Sequence, residues 1–551
     1  LCFSVSGQCL FSSALRGQSG NRGRCAQPCR RRYHAGRQPG YHFSTSDFSA
    51  LSLLPRLRRA GVVSLKIEGR MKSAEYVARV VAAYRLALDA PESGRKEALA
   101  RAEEQLALSF GRPATRGFLG GSVPVGIADA GKHGTTGKPL GEVTSLRGGL
   151  LGFVTADRLH VGDRIRVQPK NDQAGSGFTV RELLVGEKKQ KAAKPGEFVR
   201  VRIPERAGFF RAGDQVYKVG GKTAFTMSPE ACRALLARVA VPEKSPADKA
   251  DQDRARQQAL ADLLGAIPPK AEQEALTVRG RDLRDLALLR EPGVAELELP
   301  LTPENLAGLQ KEARTVAGNR ERIIWEIPPM LFGPDWEEYR RAVGMLAGQG
   351  FRRFRLNNLG HIPLFAGLSE LTLLGGFRCY SLNSQAALAW EDLGLGGLSA
   401  SLEDDRQNLA ELFLRAGHLP PLAITVYSPL PLMLSRIPLM GLKPGALLEA
   451  EGGGGCATEH EMSHKTGQVM ERAVTGCRVL SIHGLTEVRA KEDFSLLGSL
   501  AALRKMGCRR FIADLSHCGA ASAKGRQVLT ALAADQPVPE TTSFNYRRGL
   551  A

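Results

Sequence analysis

Residues 51–90 read LSLLPRLRRAGVVSLKIEGRMKSAEYVARVVAAYRLALDA, and three element types follow one another within them. LLPRLRRAG has the make-up of a short helix. VVSLKIEG, with its β-branched residues, has that of a strand. AEYVARVVAAYRLALDA predicts a second helix, because Tyr76, Val77, Val80, Val81, Tyr84 and Leu88 recur at helical spacing. Helix, strand, helix makes an α/β unit with a parallel sheet. The loop after its strand holds Glu68-Gly69-Arg70-Met71-Lys72, where α/β proteins place ligands. Strand alternation puts Lys66 and Glu68 on one face, joined by Arg70 if the chain stays extended. This carboxylate among cations is our candidate catalytic group, with Lys72 a candidate anion contact, because guanidinium and ammonium groups suit carboxylate or phosphate.

Upstream, four cysteines crowd the first 29 residues, Cys2, Cys9, Cys25 and Cys29, in the pattern C-x6-C-x15-C-x3-C. Four soft thiolates suit an iron–sulfur cluster or zinc. Only Cys25 and Cys29 have the close spacing of a zinc knuckle, so the pattern leans toward a cluster. Arg24, Arg30 and Arg31 flank it and are candidate contacts for an anionic partner. The whole chain of 551 residues carries a formal charge of +20, which favours polyanions over other partners. No apolar run approaches the roughly eighteen residues of a membrane span, and no signal-peptide pattern is visible. Ten cysteines fall short of a disulfide scaffold, which points to a reduced, cytoplasmic setting. The chain opens on Leu1 inside a motif, which suggests an incomplete amino terminus.

Further along, 111–227 alternates glycines with short β-branched runs, the texture of a small antiparallel β-barrel. In it, Leu159-His160-Val161-Gly162-Asp163 predicts a tight turn into a strand. Residues 228–275 read as a charged helical linker. From 276 to 551 α/β texture returns, with strand candidates LTVRG, VAELELP, RIIWEIPP, FRRFRLNN, LTLLGG, LSASL and LAITVYS. ITVYSPLPLMLSR and DFSLLGSLAALRKMGCRRFIADLSH answer LCFSVSGQCLFSS and DFSALSLLPRLRRAGVVSLKIEG as an internal repeat, the second copy without the cysteines. The polar run Asn357-Asn358-Leu359-Gly360-His361 offers Asn357 and His361 as ligand-loop candidates, or as a satisfied turn. His460-Glu461-Met462-Ser463-His464 fits the zincin signature, but its glycine-rich flanks read as a hairpin. Cys232, Cys379, Cys477 and Cys508 read as small core residues. Cys518, beside His517 at a strand end, is a conceivable nucleophilic pair.

The runs CFSVSGQCLFSS, SGNRGRCAQPCRRRY, FSTSDFSAL and GVVSLKIEGRMKSAEYVARVVAAYR resemble the collagenase-like peptidase family U32. Within it, they resemble most the branch that hydroxylates a cytidine of 23S ribosomal RNA at carbon 5. The resemblance implies an α/β fold. Residues 1–110 would be the carboxyl-terminal half of a TIM-like barrel, the small β-barrel would be inserted, and a second, degenerate α/β barrel-like domain would follow. It also implies oxygen-independent hydroxylation at a 4Fe–4S cluster, with prephenate as a possible co-substrate and 23S rRNA or a ribosome precursor as partner. By position, Cys2, Cys9 and Cys25 match its cluster ligands, with Cys29 as the fourth. Two other readings stand beside it: a collagenase-like peptidase, and a non-catalytic RNA-binding or maturation factor.

Overall fold

The computed structural model describes residues 1–36, 38–68, 74–107, 114–120, 127–128, 138–169, 176–204, 210–220, 233–234, 237, 246–264, 273–439, 442–450 and 476–550. They form two compact units: Leu1 with 44–245, and 2–43 with 246–551.

In the first unit the helices Leu54–Arg59 and Ala74–Asp89 form where the apolar spacing predicts them. Val80, Ala83 and Ala87 are buried against Leu51, Leu54 and Ala102 of the neighbouring segments, with Tyr76, Tyr84 and Leu88 packed at the margin. Val77 and Val81 stay exposed, so the buried stripe is narrower than the sequence suggested. Residues 62–68 form no strand, and Val63 is 99% exposed. Extended backbone becomes a strand only beside a partner, and this segment has none among the described residues.

The second half of this unit is an antiparallel sheet of eight strands, among them Lys138–Arg147, Leu150–Val154, Arg164–Gln168, Phe198–Arg202 and Gln215–Gly220. It curls around a core of Leu140, Leu151, Phe153, Ile165, Val167 and Val199. Gly141, at φ +154°, stands where an added Cβ would collide with the carbonyl oxygen of Val154, so glycine lets the strands close up there. The tight turn at 159–163 forms as expected. Asp163 Oδ2 accepts from His160 N at 2.8 Å, Gly162 takes φ 100°, and Lys218 Nζ pairs with the buried carboxylate at 2.6 Å.

The second unit is built on a closed barrel of eight parallel strands. These are β1 (Ala275–Arg279), β2 (Val294–Pro300), β3 (Ile323–Glu326), β4 (Arg353–Leu356), β5 (Thr372–Gly375), β6 (Leu395–Ser399), β7 (Leu422–Ser428) and β8 (Arg510–Asp514). Each pairs in parallel with the next, and β8 closes on β1 with Ala275 opposite Arg510. Helices such as Gly333–Gly348, Arg406–Phe413 and Ala523–Ala534 follow individual strands, the order of a TIM-like barrel. Leu297, Leu299, Trp325, Phe354 and Leu356 are fully buried apolar positions, and Trp325 stacks edge-on against Phe351.

Between β7 and β8 the chain leaves the barrel to form a six-stranded sheet that includes Pro431–Ser435, Leu447–Ala450, Cys477–Ile482 and Leu485–Ala490. Residues 2–43 complete it. Tyr33–Ala35 pairs with Leu447–Ala450, Cys9 bridges Met433, and Val5 N and Leu10 N donate to Leu434 O and Leu432 O. In the repeat, Gln8 corresponds to Pro431 and Leu10 to Met433. The two copies therefore pair antiparallel almost residue on counterpart, as elements do about a two-fold axis. The helix Pro246–Leu264 lies in the charged stretch. Among the described residues no helix is long and apolar enough to cross a membrane.

Candidate functional site

The barrel's interior is charged where such barrels are ordinarily filled by branched apolar side chains. In the lower layer Glu296 accepts from Thr277 Oγ1 at 2.7 Å and pairs with Arg353 Nη1 at 2.5 Å. Above it Arg279 binds Asp514 Oδ2 at 2.7 Å, contacts Glu326, and lies 3.7 Å from Glu298. Arg355 holds the other oxygen of Glu298 and donates to Ser399 Oγ at 2.9 Å. Burial pushes the Glu298 carboxyl up, against the pull of Arg355. Burial also acts to raise Asp514, but the charge of Arg279, the Ser516 hydrogen bonds and His517 together hold that carboxyl below its usual range. Arg279, Glu326, Ser399 and Asp514 each end a strand, so the cluster sits at the carboxyl mouth, where such barrels carry their sites.

Three further groups crown this mouth. Arg378 pairs with Glu487 at 2.9 Å and donates to Gln8 Oε1 at 2.8 Å. Glu403, fully buried, accepts from Ser19 Oγ at 3.0 Å and from Tyr380. Beside it, burial lifts Asp404 to about 7, against the Asn408 hydrogen bond. The last group is Asp493, which accepts from Tyr427 OH at 2.7 Å, from Lys524 Nζ at 2.6 Å and from His517 Nε2 at 3.2 Å. Burial opposes ionisation of Asp493, but His517, Lys524 and Tyr427 together keep its carboxyl far below the usual range. His517 Nδ1 is buried with no partner among the described residues. Arg281 fixes this loop by donating to Ser516 O and His517 O at 2.9 and 2.8 Å. Cys518 lies beside it with its thiol pushed up by burial and by Asp493 and Asp514.

The candidates from the sequence are scattered. Lys66 and Glu68 form an exposed ion pair at 3.0 Å in the first unit, while Arg70 and Lys72 lie outside the described residues, as do His460 and His464 of the H-E-x-x-H run. Arg30 and Arg31 are half-buried at the short helical turn Pro28–Arg30, and Arg24 is exposed with its backbone N–H on Ser19 O. Asn357 does reach the mouth, donating to Glu326 Oε1 at 2.9 Å and Ile327 O at 2.8 Å. His361 is buried, with Nδ1 accepting from Asn357 N at 3.3 Å and Nε2 beside Asn358 Nδ2 at 2.9 Å. Burial holds its pKa down at about 4. A histidine depressed in the fold stabilises it above the unfolded pKa, and that stability is lost as pH falls toward about 4. Stability of the parent is therefore expected to decline between about pH 6.5 and 4, and less so in His361→Asn. Equal slopes in parent and variant would count against it.

The expectation of a metal centre needs correction. Among the described residues no group of three or more His, Cys, Asp or Glu side chains could hold a metal ion. Cys2 is exposed, and Cys9 is half-buried beside the Met433 bridge, its thiol pushed up to about 12 by desolvation with further contributions from Cys29 and Cys25. Cys25 Sγ is engaged by Gln27 N at 3.3 Å. The described geometry does not gather Cys2, Cys9, Cys25 and Cys29 into an iron–sulfur site, and the prephenate-dependent RNA hydroxylation that the resemblance implied gives way to the peptidase alternative. In the native protein Cys2 and Cys25 are expected to react with a disulfide reagent at pH 8 well before Cys9, Cys379 and Cys508, all raised to about 12 by burial. Mass mapping of the labelled peptides reads the order, and early labelling of Cys9 would contradict it.

Residues 1–126 match the profile of peptidase family U32. Over those residues the chain is similar to the U32 peptidase superfamily. A 23S rRNA 5-hydroxycytidine C2501 synthase of Escherichia coli K12 is 36% identical over 192 residues, 32% of this chain and 29% of the relative. A collagenase of Porphyromonas gingivalis W83 is 33% identical over 198 residues, 34% of this chain and 43% of the relative. The chain thus spans under half the length of these relatives. The solved U32 peptidase Mk0906 has a TM-score of 0.25 at 10% identity over 30% of this chain and 73% of its own, too slight a likeness to bear on the argument. No sequence motif announced the Asp493 group. Tyr427, Asp493 and His517 lie far apart in sequence, and the signal that could have found them was the ADLSHC strand end.

Proposed function

We propose that this chain is a peptidase of the collagenase-like kind, hydrolysing extended, unfolded polypeptide at the mouth of its closed barrel. The observation that carries the reading is the U32 match over residues 1–126, and similarity to relatives named collagenase supports it. The Asp493 group offers the chemistry. Asp493 accepts from His517 Nε2 and so leaves the lone pair on Nδ1. Uncovered as substrate binds, that nitrogen takes a proton from water as the hydroxyl adds to the peptide carbonyl. Lys524, with N–H groups beyond the one spent on Asp493, is the donor we assign to the developing oxyanion. The proton then passes to the amide nitrogen, the C–N bond breaks, and a carboxylate and an amine leave.

Incubating the purified chain with heat-denatured collagen is expected to release new amino termini, detected by terminal labelling and mass spectrometry. Because water attacks, Cys518→Ser is expected to keep most of the cleavage. Intact substrate after incubation with the parent chain would overturn the assignment.

A further inference from the structure

A second site lies on the outer wall of the barrel, away from the Asp493 group. The helices Arg406–Phe413 and Leu500–Met506 and the segment 546–549 enclose a cleft of about 910 Å³. That volume is at the upper end for a small-molecule site. Arg406, Lys505 and Arg547 line it, exposed, and make no ion pair among the described residues. The carboxylate in the cleft, Asp405, is already engaged by backbone, accepting from Asn408 N at 2.9 Å and Leu550 N at 3.0 Å. At the wall stands Tyr546, 4% exposed, whose buried hydroxyl has no partner among the described residues. Burial pushes this phenol's pKa up while Arg406 and Arg547 pull it down, so both cations lie within electrostatic reach of the oxygen. The amides at the start of the helix Leu500–Met506 donate to Asp535 instead, so an anion here must be held by side chains.

We propose that this cleft binds an oligophosphate-bearing ligand of nucleotide size, with Arg406, Lys505 and Arg547 on its phosphate oxygens and the Tyr546 hydroxyl as a neutral donor. Three uncompensated cations exceed what one carboxylate would answer and match a group carrying several negative charges. Guanidinium groups supply the paired donors that phosphate oxygens accept. The site is independent of the peptidase chemistry.

Inorganic tripolyphosphate is the probe, titrated calorimetrically into the full chain at physiological salt. One saturable site is expected. Arg406→Glu and Arg547→Glu should each weaken it by about tenfold or more, the size of a lost charge-assisted hydrogen bond. Arg340→Glu, on the exposed helix Gly333–Gly348, should leave it unchanged. Tyr546→Phe, with an unaltered melting temperature, should weaken it several-fold. Absence of a saturable site in the parent would overturn the proposal. So would an equal loss in Arg340→Glu, which would mean diffuse attraction to net charge, or tighter binding of an oligoglutamate peptide than of tripolyphosphate.

Discussion

Replacing Arg279 by Leu is expected to cost the barrel about 3–5 kcal/mol, the price of leaving buried charges without their partner. Arg279 stands among three carboxylates, Asp514, Glu326 and Glu298, each no more than 6% exposed. Leucine fills the volume but removes the cation that answers them. Asp514 loses the largest of the contributions that hold it down against burial, and Glu298, already raised by burial, is raised further. A carboxyl raised above its unfolded value keeps its stability below that unfolded value and loses it as pH rises. The deficit of Arg279→Leu should therefore be largest near pH 8 and shrink toward pH 4. The three tryptophans, Trp325, Trp336 and Trp390, all lie in the barrel unit, so urea unfolding followed by their fluorescence isolates it. Arg340→Leu, which breaks the exposed pair with Glu337, should cost under about 1 kcal/mol. A deficit as small for Arg279→Leu, or one independent of pH, would mean that the network contributes nothing of its own.

That network also marks where sequence reading stopped. Seven of the eight barrel strands are legible as β-rich runs, and the eighth lies in RRFIADLSH, which answers the VVSLKIEG run in the repeat. In FRRFRL and VAELEL the alternation of charged and apolar residues was visible too. On an ordinary strand, alternation means one face in water. Here the charged face points into the lumen, because Arg353 and Arg355 meet Glu296 and Glu298 across two strand spacings. Only closure of the sheet brings those partners together, and closure is a long-range property that no local window contains. Residues 2–43 make the same point. Their cysteine spacing suggests a soft-metal cluster. Instead the segment adds to a sheet some 400 residues away, and its Gln8 and Ser19 contact Arg378 and Glu403. The repeat was the one sequence feature that anticipated this, since corresponding segments pair with one another.

The activity reading stands or falls most sharply on His517. Its removal in His517→Ala should lower kcat on denatured collagen by about 10²–10⁴-fold, the range for a general base, with KM little changed. The side chain is 17% exposed, and its ring sits 6.1 Å from that of Tyr427, so truncation costs some packing. An unchanged melting temperature is the needed control. Asp493→Asn tests the same chemistry through the partner. The carboxylate that accepts from Nε2 becomes an amide that must turn its oxygen to the ring while Lys524 loses its counterion. The proton is then no longer fixed on Nε2, and fewer molecules present a free Nδ1. Asp493→Asn should therefore cut kcat by a smaller factor than His517→Ala, and the double variant should be no worse than His517→Ala alone, because residues acting as one unit are not additive. Undiminished cleavage by His517→Ala, or multiplying losses in the double variant, would remove this group from the reaction while leaving the U32 match of residues 1–126 intact.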